Sequence, residues 1–135
     1  MALISELRHG IGTNLATISG LRVSDLLPDQ PNPPVAIISL DNVSYDKAFH
    51  RGLHNYTFSV LVLVGRVSER TGQTLLDSYS SPTGTASIKL AIESDRTLGG
   101  KANDVLVEGM RAYSTISIGD VKYLAAEFVV LCYAD

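Results

Sequence analysis

The stretch Tyr56 to Arg66, YTFSVLVLVGR, constrains the rest of the chain most. Its apolar part, VLVLVG, is too short to cross a bilayer as a helix, which takes about 20 apolar residues. Valine, threonine and aromatic residues crowd it, and these favour the pleated, half-buried surface of a sheet. A second run of the same kind, Val35 to Leu40 (VAIISL), precedes it. We read the two as the arms of a long antiparallel hairpin. The segment between them, DNVSYDKAFHRGLHN, forms the outer half and carries Tyr45, Phe49, His50, Arg51 and His54.

Two more strands are expected near the end, Asp104 to Met110 (DVLVEGM) and Val121 to Tyr133 (VKYLAAEFVVLCY), with a turn at Ile118-Gly119-Asp120 before the second. Leu21-Arg22-Val23 starts a short strand. Pro28, Pro31, Pro33 and Pro34 lack backbone donors and fix their own torsions, so this stretch reads as an extended loop.

Leu3, Ile4, Leu7, Ile11, Leu15 and Ile18 fall at spacings of three and four, which puts one apolar stripe on a helix. Glu6, Arg8, His9, Thr13 and Asn14 are expected to face water, and Gly20 to stop the helix. A second helix begins near Ser68, a good N-cap residue, and buries Leu75, Leu76 and Tyr79. Ser81-Pro82 signals a third helix start. The following SIKLAIESD fits two periods: Ile88, Leu90 and Ile92 alternate as in a strand, while Ile88, Ala91 and Ile92 share a helix face. The Ser-Pro start favours a helix. This order of elements gives an α+β fold, a mostly antiparallel sheet with helices packed on one face.

With 135 residues the chain is expected to form a single domain over 1–135. A domain of this size buries roughly two-thirds of the surface of its unfolded chain and needs no disulfide or metal to hold a core. Cys132 is the one cysteine; its apolar setting, FVVLCYAD, reads as a small buried hydrophobe. No basic segment followed by an apolar one opens the chain, so no secretion signal is expected. A net charge of −3 lacks the basic stripe of a nucleic-acid binder.

The motifs that could carry chemistry fail on counting. GIGTNL has Leu15 where a dinucleotide fingerprint needs its third glycine, and no strand precedes it. SDRTLGGK has Asp95 where the phosphate loop needs its first glycine, and Ala102 where it needs a hydroxyl. That stretch reads instead as a helix-to-strand connection, with Gly99 or Gly100 at positive φ and Leu98 tucked onto the core. His50 and His54 have a spacing that suits zinc on a helix, but Gly52 and the hairpin context oppose a helix. No G-x-S-x-G elbow occurs, and the carboxylates are scattered. We therefore expect no enzyme, no cofactor and no metal.

The hairpin's outer half is the best candidate site. Tyr45, Phe49, His50, Arg51, His54 and Tyr56 cluster there, and aromatic residues and arginine are enriched at interface centres. They form a subunit or tube contact, or else Phe49 and Tyr56 simply close the edge of the core.

Taken whole, the chain resembles the tail terminator (tail completion) proteins of long-tailed bacteriophages, those infecting actinobacteria above all. The resemblance runs nearly end to end: MALISELRHGI, then GLRVS, PDQPNPPVAII, YDKAFHRGLHNYTFSVLVLVGRVSER, LLDSYSSPTGTASIKLAIESDRTLGGKANDVLV and VKYLAAEFVVLCYA. Order, spacing and total length carry it, with the segment ending in DRTLGG the most telling. The resemblance implies a small α+β virion protein of a siphovirus, made in the host cytoplasm and placed at the head–tail junction. There a ring of six copies halts tail-tube polymerisation and offers a surface for head–tail joining. Such a ring needs a heterologous interface. The implied partners are other copies of the chain, the tail tube protein and a head-side connector or stopper. DNA passes through the lumen without specific binding, and no membrane is involved. Other readings stay open: another head–tail connector, such as a stopper or adaptor, or a small-ligand binding module.

Overall fold

The computed structural model describes residues 3–18, 20–24, 34–45, 54–66 and 71–134. Among these the order is α1 (Ile4–Leu15), β1 (Arg22–Ser24), β2 (Val35–Ser44), β3 (His54–Arg66), α2 (Thr71–Ser80), α3 (Ile88–Ile92), β4 (Asp104–Ile118) and β5 (Val121–Ala134). The strands form one sheet in the order β1-β2-β3-β5-β4. Only the β1–β2 pair is parallel; the others are antiparallel. The fold is α+β, as the alternation of elements predicts.

Alternation along the strands divides the sheet into two faces. Phe58, Val60 and Val62 of β3, and Ala126, Phe128, Val130 and Cys132 of β5, join Leu7, Ile11 and Leu15 of α1, Leu76 and Tyr79 of α2, and Ile88 and Ile92 of α3 in one core. All three helices thus cover the same face. A smaller cluster lies on the other: Val35, Ile37, Leu63, Tyr123 and Ala125, with Leu61, Ile116, Ile118 and Val121 packed against it.

Bulges decide which residue faces which side. β4 carries one extra residue between Val107 and Gly109 and another between Arg111 and Ser114. A one-residue slip exchanges the faces. Between the two bulges the parity is reversed, which sets Arg111 beside Glu127 on the helix-free face. The second bulge restores it, so Val105 and Val107 enter the helix-side core while Ile116 and Ile118, of opposite parity, join the cluster on the other face. A bulge on β2 between Leu40 and Asn42 likewise turns Val43 toward the helices, against Tyr56.

Several expectations need correction. The first arm of the hairpin runs to Ser44 rather than Leu40, and β4 continues to Ile118 rather than ending at Met110. Its second half alternates isoleucine with serine and threonine, and it closes on β5 through Gly119, whose φ of 61° suits a two-residue hairpin loop. Pro82 does not open a helix. Ser87 caps α3 instead: its Oγ accepts from Leu90 N–H at 3.2 Å and donates to the Ser81 carbonyl at 2.5 Å. Helix is the right assignment for Ile88–Ile92, which settles the two-period ambiguity. Asn14 does not face water; it is buried. Ser68, Pro28, Pro31 and Pro33 lie outside the described residues.

Candidate interaction surface

The mouth of the β2–β3 hairpin gathers three of the six residues that the sequence singles out. Ser44 and Asn55 form its last described pair. Tyr45 leaves β2 just beyond that pair and His54 opens β3, so the two rings meet across the gap. Their centroids are 5.5 Å apart at 77°, and His54 meets Tyr56 edge-on at 6.2 Å and 85°. Edge-to-face pairs at such distances contribute about 0.5–1.5 kcal/mol beyond area burial. Tyr56 is only 8% exposed and belongs to the core, so for this residue the edge-closing role holds. Tyr45 is 70% exposed. The ladder thus runs from a core ring through a half-buried imidazole to a ring standing in solvent. Phe49, His50 and Arg51 lie outside the described residues.

A polar belt crosses the helix-free face. Ser39 and Ser59 sit opposite each other on β2 and β3, and Glu127 and Arg111 on β5 and β4. Ser59 Oγ donates to Glu127 Oε2 at 2.7 Å, and Arg111 Nε donates to Glu127 Oε1. The Arg111 guanidinium also reaches to 4.0 Å from Asp41. Donation from Ser59, then from Arg111, holds the Glu127 carboxyl below the usual carboxylate range despite partial burial. The arrangement separates the cluster around Leu63 from the patch of Val129, Leu131 and Tyr133, which lie further along the same face of β5. Sequence reasoning missed this belt. Its signal was present: serines inside apolar strands, and one carboxylate in AAEFVV.

A third feature is a groove of about 420 Å³ between α1 and the connection from α3 to β4, lined chiefly by Glu6, His9, Gly10, Thr13, Asp95 and Lys101. SDRTLGGK forms one wall. Gly99 and Gly100 take φ of 70° and 91°, and Leu98, at φ 51°, is buried against α1, all consistent with a helix-to-strand connection. Asp95 organises the turn. Its Oδ1 accepts from Thr97 N–H and Oγ1 at 3.2 and 2.9 Å, and its Oδ2 accepts from Gly99 N–H at 3.0 Å. These bonds, the Thr97 hydroxyl first, lower the Asp95 pKa. A phosphate cradle needs free backbone N–H groups. Here the Asp95 carboxylate takes those of Thr97 and Gly99, and the carbonyls of Asp95 and Thr97 take those of Leu98, Gly100 and Ala102. Lys101 is paired with Glu6 at 3.0 Å. Glu6 also accepts from Leu3 N–H at 3.0 Å, which together with Lys101 lowers its pKa. Among the described residues no group of three or more His, Cys, Asp and Glu is placed to hold a metal ion.

No protein-family model matches the chain, and no curated protein matches it in sequence.

Proposed function

We propose that the chain is a structural virion protein that caps the head-proximal end of a phage tail tube as a ring. In this role it stops tube polymerisation and offers the surface for head–tail joining. One structural observation carries the proposal on top of the end-to-end resemblance. The hairpin mouth presents an exposed Tyr45 on a ring ladder anchored in the core, which is the build of a preorganised protein contact. The hairpin contacts a neighbouring copy or the tail tube. With a net charge of −3, the bore of the ring is acidic or neutral, so phosphates pass without being held. A strongly positive bore in the assembled ring would contradict that.

Purified protein added to polymerising tail tubes tests the role. Arrest of growth at a discrete capped end is expected. Tubes that grow equally with and without the protein would count against a terminator and favour a stopper or adaptor on the head side. The groove beside α1 supports a second reading, a small-ligand binding module. It ranks lower because the groove's charged groups Glu6, Lys101 and Asp95 are already engaged with the chain itself.

A further inference from the structure

The two edges of the sheet differ along their length. At one edge, β1 covers only Val35, Ala36 and Ile37 of β2. From Ile38 to Ser44 no strand among the described residues pairs with the outer side of β2. At the other edge, the beginning of β4 is covered by side chains. Val107 N–H donates to Glu93 Oε2 at 2.9 Å, and Arg96 binds Asp104 in a two-bond fork at 2.7 and 2.9 Å. Beyond the second bulge, Ser114–Ile118 pairs regularly with β5 on one side and, among the described residues, with no strand on the other. Open strand edges are templates for another strand, and proteins usually blunt them with lysine, proline or a bulge. The stretch STISI carries neither charge nor proline and is rich in β-branched residues, so it keeps the strand-adding character that an unpaired edge normally loses.

The sense of the strands selects the occupant. From β2 to β3, β5 and β4 there are three antiparallel steps, so β2 and β4 run in opposite directions. A second copy placed alongside by rotation brings its β2 antiparallel to the first copy's β4. Because each copy has one edge of each kind, the contact repeats head to tail. Such a contact is heterologous: it gives a ring when the rotation from copy to copy closes and an open filament when it does not.

We propose that the outer edge of β4, Ser114–Ile118, pairs antiparallel with Ile38–Ser44 of β2 in the next copy of this chain, joining the sheets of neighbouring subunits. The two open stretches lie toward opposite ends of the sheet, since Ser39 lines up through Ser59 and Val129 with Gly109. Neighbouring copies are therefore offset along the strands, and the strands of the ring incline to its axis, as in any closed sheet. The inference rests on the ring-forming role and names the contact that builds the ring.

Cysteine cross-linking of the full-length chain tests it. Cys132 is fully buried and serves as a silent background. Val43→Cys and Thr115→Cys place thiols on the same, helix-side face of the two edges, at a partly exposed and an exposed position. With a short bismaleimide, the double variant should give a ladder of covalent oligomers. An equal mixture of the two single variants should give covalent dimers and nothing larger. Each single variant alone should give none. Dimers from Thr115→Cys alone would show a two-fold β4–β4 contact and overturn the proposal. So would the absence of products from the double variant and the mixture at concentrations where the protein sediments as an oligomer, or sedimentation as a monomer throughout. A ladder from a protein that does not arrest tail tubes would leave this contact standing and reject the terminator role. Arrest without a ladder would do the reverse.

Discussion

Asn14 donates its side-chain amide to the carbonyl of Ile92 at 2.8 Å and to that of Asp95 at 3.0 Å. Ile92 ends α3, where backbone carbonyls have no partner within the helix. One buried amide thus ties the first helix to the last helical turn and to the connection that follows it. Asn14→Leu fills the space but leaves the Ile92 carbonyl unsatisfied, while the Asp95 carbonyl keeps only the Leu98 N–H at 3.2 Å. It should destabilise the protein by about 1–3 kcal/mol, measured as a lowered urea midpoint at unchanged slope. An unchanged midpoint would mean that water or a small shift satisfies the Ile92 carbonyl.

Gly10 and Leu98 make the second tie between the same segments. A Cβ added at Gly10 would lie 2.7 Å from the Leu98 Cβ, too close for any rotamer change to relieve. Gly10→Ala gains about 1 kcal/mol of helix propensity. The overpacking should outweigh this, for a net loss of stability and a displaced α3–β4 connection in a solved structure of the variant. Gly99→Ala meets no neighbour, but its φ of 70° alone should cost about 1–2 kcal/mol.

Much of this architecture was legible in the sequence. Strand runs, the stripe on α1 and the turn at Leu98-Gly99-Gly100 follow from local periodicity and backbone sterics. Asn14 escaped because its partners come from α3 and the connection beyond it, and helical spacing cannot show that a polar residue beside the stripe will meet two carbonyls. Pro82 misled because a Ser-Pro pair suits a bend as well as a helix start; Ser87, whose hydroxyl caps α3, was the better signal. The second half of β4 was missed because two bulges between Val107 and Ser114 break the alternation that leads into it. At the candidate site, residue type located Tyr45, His54 and Tyr56 together, but only burial separated the core ring from the exposed one.

Acid should unfold the protein through its paired carboxylates. Burial pushes Glu93 up, but bonds from Lys89 and Val107 N–H outweigh it, and its pKa falls below the ordinary 4.5. Ser59 and Arg111 lower Glu127, and Arg96 lowers Asp104. A carboxylate with a lowered folded pKa stabilises above its unfolded value, and this is lost as pH falls through the folded one. Stability should therefore stay level from neutral pH to about pH 5 and decline progressively below it. Glu127→Gln should flatten part of that decline in urea titrations across the acid range. An identical acid profile in the variant would show that the belt contributes no pH-dependent stability.

The Cys132 thiol should be inert in the folded protein. Burial, with a smaller push from the Asp104 charge, raises its pKa to about 12, and the side chain has no exposed surface. Iodoacetamide should label it only in denaturant. Rapid labelling of the native protein would place the residue outside the core.

Tyr45→Ala should cost no more than its edge contact with His54 contributes, about 0.5–1.5 kcal/mol, because the ring is otherwise mostly exposed. It should nevertheless reduce tail assembly in complementation. Arg51→Glu and Phe49→Ala are expected to behave alike, folding normally but failing to complement. Normal particle yield from all three would remove the hairpin as the contact surface.

In its proposed role this chain ends tail growth. Electron micrographs of particles assembled without it, scored for tail length, test that role. A terminator predicts a broad distribution of overlong tails, separated from filled heads. Tails of normal, uniform length in its absence would contradict the claim.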